Sequence, residues 1–149
     1  MFCFYYYILD STSNNGLPLE TNYTHDTSEV RVGKDIFLSC PVLTEVIELD
    51  GTFKTLFWSY CTSKTCTSEG TTWMWMAGMN QKRITEVTHK DPYKDRLNLT
   101  SNGTLVLSNV RISDSTVYRC TEQRVNVTSP RYYFVTLVVN ATGKSFVFS

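Results

Sequence analysis

Apolar and polar residues alternate over several short segments of this chain, a pattern typical of β-strands that bury one face. Counting back by two from Cys120 places Tyr118 on the same strand face, and counting back from Cys40 does the same for Leu38. Two strands therefore direct a cysteine toward one interior. A bridge between these cysteines would close a loop of about 80 residues and contribute roughly 4.5 kcal/mol. Trp58 is the large apolar side chain that could pack on it.

The segments 55–61 and 72–79 predict two further strands. In the first, Trp58 faces the core, while Phe57 and Cys61 point away from it. In the second, both faces are apolar, so alternation alone does not decide which face is buried. One of these faces carries Trp73, Trp75 and Ala77, and the other carries Met74, Met76 and Gly78.

The order Cys40, Trp58 and Asp114-x-x-x-Tyr118-x-Cys120 resembles the immunoglobulin superfamily. The resemblance covers residues 28–140 and implies an all-β, two-sheet antiparallel sandwich, with Trp58 and Tyr118 as core markers. The spacing between Trp58 and Cys120 leaves room for two extra edge strands. We therefore predict the variable type (V-set), with about nine strands.

The resemblance implies a structural ion pair, and the sequence departs from the family pattern at two places. Arg96 and Asp114 match the positions of a structural ion pair in variable-type domains. Thr116 stands where the family usually has Gly or Ala, and no Gly-x-Gly bulge interrupts the last strand, 131–139. A cysteine pointing outward from the strand of Trp58 also resembles, more weakly, the polymeric immunoglobulin receptor and its paired-receptor relatives.

A second cysteine pair, Cys61 and Cys66, follows Trp58 closely. A local disulfide between them would staple the turn that leaves the strand. The alternatives are free or intermolecular thiols and a zinc site, although His25 and His89 stand alone and offer no second ligand pair at usable spacing.

Composition narrows the function classes. The 149 residues are 42% apolar and favour a single domain with one core. Fourteen basic residues balance fourteen acidic ones, so no electrostatic footprint for nucleic acid or an anionic membrane is present. No catalytic, phosphate-binding or cofactor motif occurs, and we expect neither an enzyme nor a cofactor. No apolar run is long enough to span a membrane.

The ends of the chain and its glycosylation motifs favour an extracellular setting. Residues 1–13, with an apolar run that contains Cys3, predict a secretory signal peptide, truncated because the basic start is missing; the alternatives are a disordered leader or a first strand. Residues 14–27 are interpreted as a linker, and residues 141–149 as a tail. Without the leader, an even four cysteines remain. Five N-glycosylation sequons occur, at Asn22, Asn98, Asn102, Asn126 and Asn140.

These features predict a glycosylated recognition module that binds another protein, either secreted or as the ectodomain of a membrane protein. Nothing in the sequence indicates a homo-oligomer. A glycan at Asn126 would cover the loop end of the domain and direct the partner to a sheet face. The candidate contact residues are Phe57, Trp73, Trp75, Met74, Met76 and Tyr132. The alternatives are a glycosylated spacer domain and a virus-encoded secreted decoy.

Overall fold

The computed structural model describes residues 23–41, 53–63, 66 and 72–141 of the chain. Within them lie nine strands and one short 3-10 turn, Ile112–Asp114. In chain order the strands are Tyr23–Arg31 (β1), Ile36–Leu38 (β2), Phe53–Cys61 (β3), Trp73–Asn80 (β4), Thr85–Val87 (β5), Leu97–Leu99 (β6), Leu105–Leu107 (β7), Val117–Arg124 (β8) and Arg131–Asn140 (β9). The predicted leader, most of the predicted linker and tail, and the sequon at Asn22 lie outside the described residues.

The strands form two sheets packed face to face. The larger sheet has the order β1-β9-β8-β3-β4-β5, and the smaller has the order β2-β7-β6. All neighbours are antiparallel except β1 and β9, which run parallel. The predicted all-β sandwich of variable type is confirmed. Sheets that pack in this way bury alternate residues of each strand between them.

The core forms where the two inner faces meet around a disulfide. Cys40 and Cys120 are bonded, with their Cα atoms 6.1 Å apart, as predicted. Trp58 lies opposite Cys120 in the β3–β8 ladder and is fully buried. Its indole Nε1–H donates a 3.0 Å hydrogen bond to the carbonyl of Gly103, in the turn between β6 and β7. The largest core side chain therefore joins both sheets and has its one polar group satisfied.

A polar corner closes the sandwich before β8. The Tyr118 hydroxyl donates to the carbonyl of Asp114 at 2.7 Å, so the hydroxyl of Tyr93, 3.0 Å away, donates to Tyr118. Asp114 accepts two hydrogen bonds from the guanidinium of Arg96, at 2.8 and 3.0 Å, and both side chains are buried. This hydrogen-bonded pairing raises the pKa of Arg96. Burial raises the pKa of both tyrosines.

The first strand begins earlier than the sequence indicated. Residues 23–27 were assigned to the linker because they are polar, yet they form the start of β1. Their pairing with β9 runs without interruption from Tyr23 to Arg31. Backbone hydrogen bonds to β9 hold this segment, and they leave no signal in the apolar pattern.

A bulge in β4 changes which of its residues face the core. Trp58 lies opposite Ala77, whereas the next residue, Ser59, lies opposite Trp75, so Met76 has no counterpart on β3. An inserted residue of this kind shifts the alternation by one position. As a result Met76 and Ala77 are both fully buried in the core. The prediction that Met76 contacts a partner is therefore wrong.

Candidate recognition surface

The outer face of the six-stranded sheet carries a row of side chains across four strands. Trp75 on β4 lies opposite Ser59 on β3, which lies opposite Arg119 on β8, which lies opposite Phe134 on β9. The core residues Trp58 and Cys120 come directly before Ser59 and directly after Arg119. Alternation therefore turns this row toward the outside.

A second disulfide builds one end of this face. Cys61 and Cys66 are bonded, with their Cα atoms 5.8 Å apart, as predicted. They are buried together with Val117 and Phe134 in an apolar cluster separate from the main core, and Trp73 and Tyr132 pack against it. The disulfide thus packs on the outer face of the sheet, and two of the candidate contact residues help to bury it.

Thr116, one of the two departures from the family pattern, contacts the strand end that carries the second disulfide. Its hydroxyl donates a 2.9 Å hydrogen bond to the carbonyl of Cys61. A Gly or Ala at this position has no hydroxyl to make the bond. The threonine therefore ties the turn before β8 to the end of β3, where the disulfide loop begins.

Arg119 occupies the middle of the face between two aromatic rings. Its guanidinium carbon lies 4.3 Å from the ring centroid of Trp73 and 5.3 Å from that of Tyr132. Both distances are within the range of cation–π attraction. Arg119 was not among the predicted contact residues, although its place directly before Cys120 identifies it as outward-facing.

The exposed apolar part of the face centres on Trp75. Trp75 is 43% exposed and Phe57 is half-buried. Met74, 46% exposed, lies opposite Tyr60 and therefore points to the other face of the sheet. The indole lies against Gly78, where an added Cβ would be 3.3 Å from the Trp75 Nε1. Because Gly78 has no side chain, the ring can lie close to the sheet. Ile84, 63% exposed, completes what we call the Trp75 patch: Phe57, Trp75 and Ile84.

Trp75 separates two shallow depressions. One, of about 450 Å³, lies toward Met74 and His89. The other, of about 320 Å³, lies toward Phe57 and Ile84. Trp75 lines both depressions, so its ring contributes to the wall of each.

Two hydroxyl groups beneath this face have no hydrogen-bond partner in the described part of the chain. Ser59 and Thr121, on the outer faces of β3 and β8, are 2% and 3% exposed. Ser59 Oγ and Thr121 Oγ1 have no hydrogen-bond partner among the described residues. A buried hydroxyl without a partner costs about 1–3 kcal/mol. The centre of the face therefore has unused hydrogen-bonding capacity.

The four sequon asparagines within the described residues are all exposed. Asn98 lies on β6 of the smaller sheet, and Asn102 lies in the turn that follows. Asn126 lies in the loop between β8 and β9. Asn140 ends β9, about 27 Å along that strand from Tyr132 at the usual rise per residue. None of the four lies on β3 or β4, the strands that carry Trp75 and Phe57.

Other chemistry is sparse in the part of the chain that the structure describes. No group of three or more His, Cys, Asp or Glu side chains there could hold a metal ion. His25 contacts Thr136 Oγ1 at 3.1 Å, and His89 is exposed. Within the same residues, no helix has the length and apolar character needed to cross a membrane.

No protein-family profile matches the sequence, and no curated protein sequence does either. Solved structures do match. The tandem V-type regions of VCBP3, a v-region-containing chitin binding protein, align at 18% identity with a TM-score of 0.57, over 76% of this chain and 43% of that one. Murine CEACAM1b aligns at 18% identity and a TM-score of 0.53, over 76% and 50% of the two chains.

Human T-cell immunoglobulin and mucin domain protein 1 is similar over nearly its whole solved length. It aligns at 17% identity with a TM-score of 0.54, over 77% of this chain and 97% of that one. By contrast, the chain spans half or less of the VCBP3 and CEACAM1b chains. At such identities the likeness establishes the fold and leaves the partner open.

Proposed function

Since this chain has the fold of a variable-type immunoglobulin domain, we propose that it is a non-enzymatic extracellular recognition module that binds a protein partner through the Trp75 patch. The predicted leader, the sequons and the two disulfides support the extracellular setting. The carrying observation is the position of the patch, on the outer face of the six-stranded sheet and away from the described sequons.

The residue types of the patch are those that protein interfaces favour. Trp and Phe are enriched at interfaces, and Arg119 adds a third favoured type at the centre of the same face. Large exposed apolar side chains that lie together on a soluble domain mark contact sites.

The loop between β8 and β9 is the other candidate surface, and a glycan would obstruct it. Asn126 is exposed at its tip with a positive φ of 63°. Val125 and Val127 beside it are 38% and 48% exposed. A bulky, solvated sugar on Asn126 would cover these two apolar side chains. The sheet face has no such obstacle on β3 or β4.

The exposed area of Trp75 sets the size of the expected effect. A Trp side chain carries up to about 250 Å² of surface. The 43% that remains exposed therefore amounts to roughly 100 Å². At about 25 cal/mol per Å², covering it contributes approximately 2.5 kcal/mol. That value is within the range of interface hot spots.

The test uses fluorescent tetramers of the glycosylated domain, applied to cells that each display one receptor ectodomain from an arrayed set. Trp75→Ala should weaken binding to any ectodomain that the unaltered domain recognises by about 30-fold or more. Phe57→Ala should weaken it less. The matched control is Phe37→Ala, which removes a 66% exposed ring from the other sheet and should leave binding unchanged.

A different pattern would locate the site elsewhere. If binding survives Trp75→Ala and Phe57→Ala but is lost when Val125 and Val127 are replaced, the partner contacts the loop end of the domain. If binding is lost only with Phe37→Ala, the partner contacts the smaller sheet. Secretion level and thermal midpoint are measured for each variant, so that misfolding is not counted as loss of binding.

A further inference from the structure

The outer face of the three-stranded sheet presents an aromatic ring to solvent. Phe37 is the middle residue of β2 and is 66% exposed, while Leu38 beside it is buried in the core. Alternation requires an outward side chain at position 37. It does not require a large apolar one, and a largely exposed Phe on an edge strand is unfavourable in water.

A sequon asparagine lies on the same face in the same row. Phe37 is paired with Val106 on β7, and Val106 is paired with Asn98 on β6. The three residues thus form one line across the sheet, from one edge strand to the other. Val106 is half-buried, and Asn98 is exposed. Asn98 opens the sequon Asn98-Leu99-Thr100.

The distance along this line suits an attached sugar. Directly opposed residues on neighbouring strands lie about 5 Å apart, so Asn98 and Phe37 are separated by roughly 10 Å across the sheet. The first two rings of an N-linked glycan span such a distance. A pyranose ring has an apolar face of C–H groups and a polar rim, and the apolar face packs on aromatic rings and aliphatic side chains.

We propose that the glycan on Asn98 lies across Val106 and covers Phe37, so that the smaller sheet carries its own carbohydrate cover. The occupant of this apolar face is then a covalently attached part of the molecule, placed by the strand register. This assignment also explains why the two sheets differ. The smaller sheet has a sequon in line with its exposed ring, and the strands under the Trp75 patch have none. The proposal rests on the extracellular setting of the proposed function, without which Asn98 would not be glycosylated.

The test is a double-mutant cycle in protein made by glycosylating cells. The variants are Asn98→Gln, Phe37→Ser and their combination. Asn98→Gln is preferred to a change at Thr100, because the Thr100 hydroxyl accepts a 3.1 Å hydrogen bond from the backbone of Thr104 and also contacts Asn102. Asn140→Gln is the matched control, since it removes a glycan from the end of the other sheet.

Three measurements are compared: glycan occupancy by peptide mass spectrometry, hydroxyl-radical labelling of Phe37, and the thermal midpoint. We expect Asn98 to be occupied. In Asn98→Gln, labelling of Phe37 should rise severalfold and the midpoint should fall by about 3 °C. In the Phe37→Ser background, removing the same glycan should change the midpoint much less, because the two sites are coupled. Asn140→Gln should leave Phe37 labelling unchanged.

Each other result overturns the inference. Equal labelling of Phe37 with and without the Asn98 glycan would mean that the sugar does not cover the ring, and a low value in both would mean that a second copy or another molecule does. Additive midpoint changes would rule out coupling. Occupancy at Asn126 and Asn140 but not at Asn98 would refute this inference alone. No occupancy at any sequon would also remove the support that glycosylation lends to the proposed function.

Discussion

Removing the two disulfides separately should have unequal effects on stability. The first variant replaces Cys40 and Cys120 together by Ala, and the second replaces Cys61 and Cys66 together. Paired replacement leaves no free thiol behind, so each variant reports the loss of one bond. The two bonds differ in the length of chain they enclose, 80 residues apart for the first and 5 for the second.

The length of chain that each disulfide encloses sets the stability lost when it is removed. In the chain-entropy treatment, a loop of 80 residues corresponds to about 4.5 kcal/mol of stabilisation and a loop of 5 or 6 residues to about 2 kcal/mol. Cys40 and Cys120 also lie in the main core beside Trp58, so their loss leaves space next to the largest core side chain. Against a total stability of about 5–15 kcal/mol, the first loss is close to prohibitive and the second is tolerable.

Secreted yield and chemical denaturation measure both effects. The Cys40/Cys120 variant should be retained in the cell or recovered only in traces. The Cys61/Cys66 variant should be secreted and should unfold with a lowered midpoint and an unchanged denaturant slope. It should also loosen the contacts of Arg119 with Trp73, which tryptophan fluorescence would detect. Equal destabilisation by the two variants, or a larger loss from the short loop, would refute the reasoning.

Three further predictions concern the core and its corner. Asp114→Asn should destabilise by about 3–5 kcal/mol in urea unfolding, because it leaves the buried Arg96 without its carboxylate; an effect below 1 kcal/mol would contradict this. Burial raises the pKa of Tyr118 above its ordinary value of about 10, so the folded state holds this proton more tightly than the unfolded state. Stability should therefore be full below pH 10 and fall as the pH rises beyond it, and Tyr118→Phe should flatten the dependence of the thermal midpoint between pH 9 and 11. Met76→Ala should cost about 2–5 kcal/mol and Met74→Ala less than about 0.5 kcal/mol, because Met76 is buried and Met74 is exposed; equal costs would contradict this reasoning.

The sequence predicted which strands carry the candidate site, but not which residues of β4 lie on its outer face. Phe57 was predicted to point away from the core, and it lines the outer face. Alternation left open whether the tryptophans or the methionines of β4 face outward, and the strand register places Trp75 on the outer face. Met76 was included among the contact residues because either face of β4 could have been the outward one. It lies on the face opposite Trp75 and is buried, and the bulge turns Ala77 to the core as well. An inserted residue of this kind has no signature in an unbroken apolar run.

The sequence alone determined the features that depend on period and on covalent pairing. Alternation placed Cys40 and Cys120 on facing strands, and outward placement of Cys61 separated the second disulfide from the core. These inferences hold because the two-residue period of a strand is set by backbone geometry and is independent of what lies next to it.

Only the tertiary structure decided which residues meet across strands. The position of Arg119 between Trp73 and Tyr132 depends on the register of four strands, β9, β8, β3 and β4. The line from Asn98 to Phe37 depends on two more pairings. Register is a property of pairs of strands distant in sequence, and a shift of one residue would reverse every side chain. For that reason the contacts that form the recognition surface could not be predicted from the sequence of any single strand.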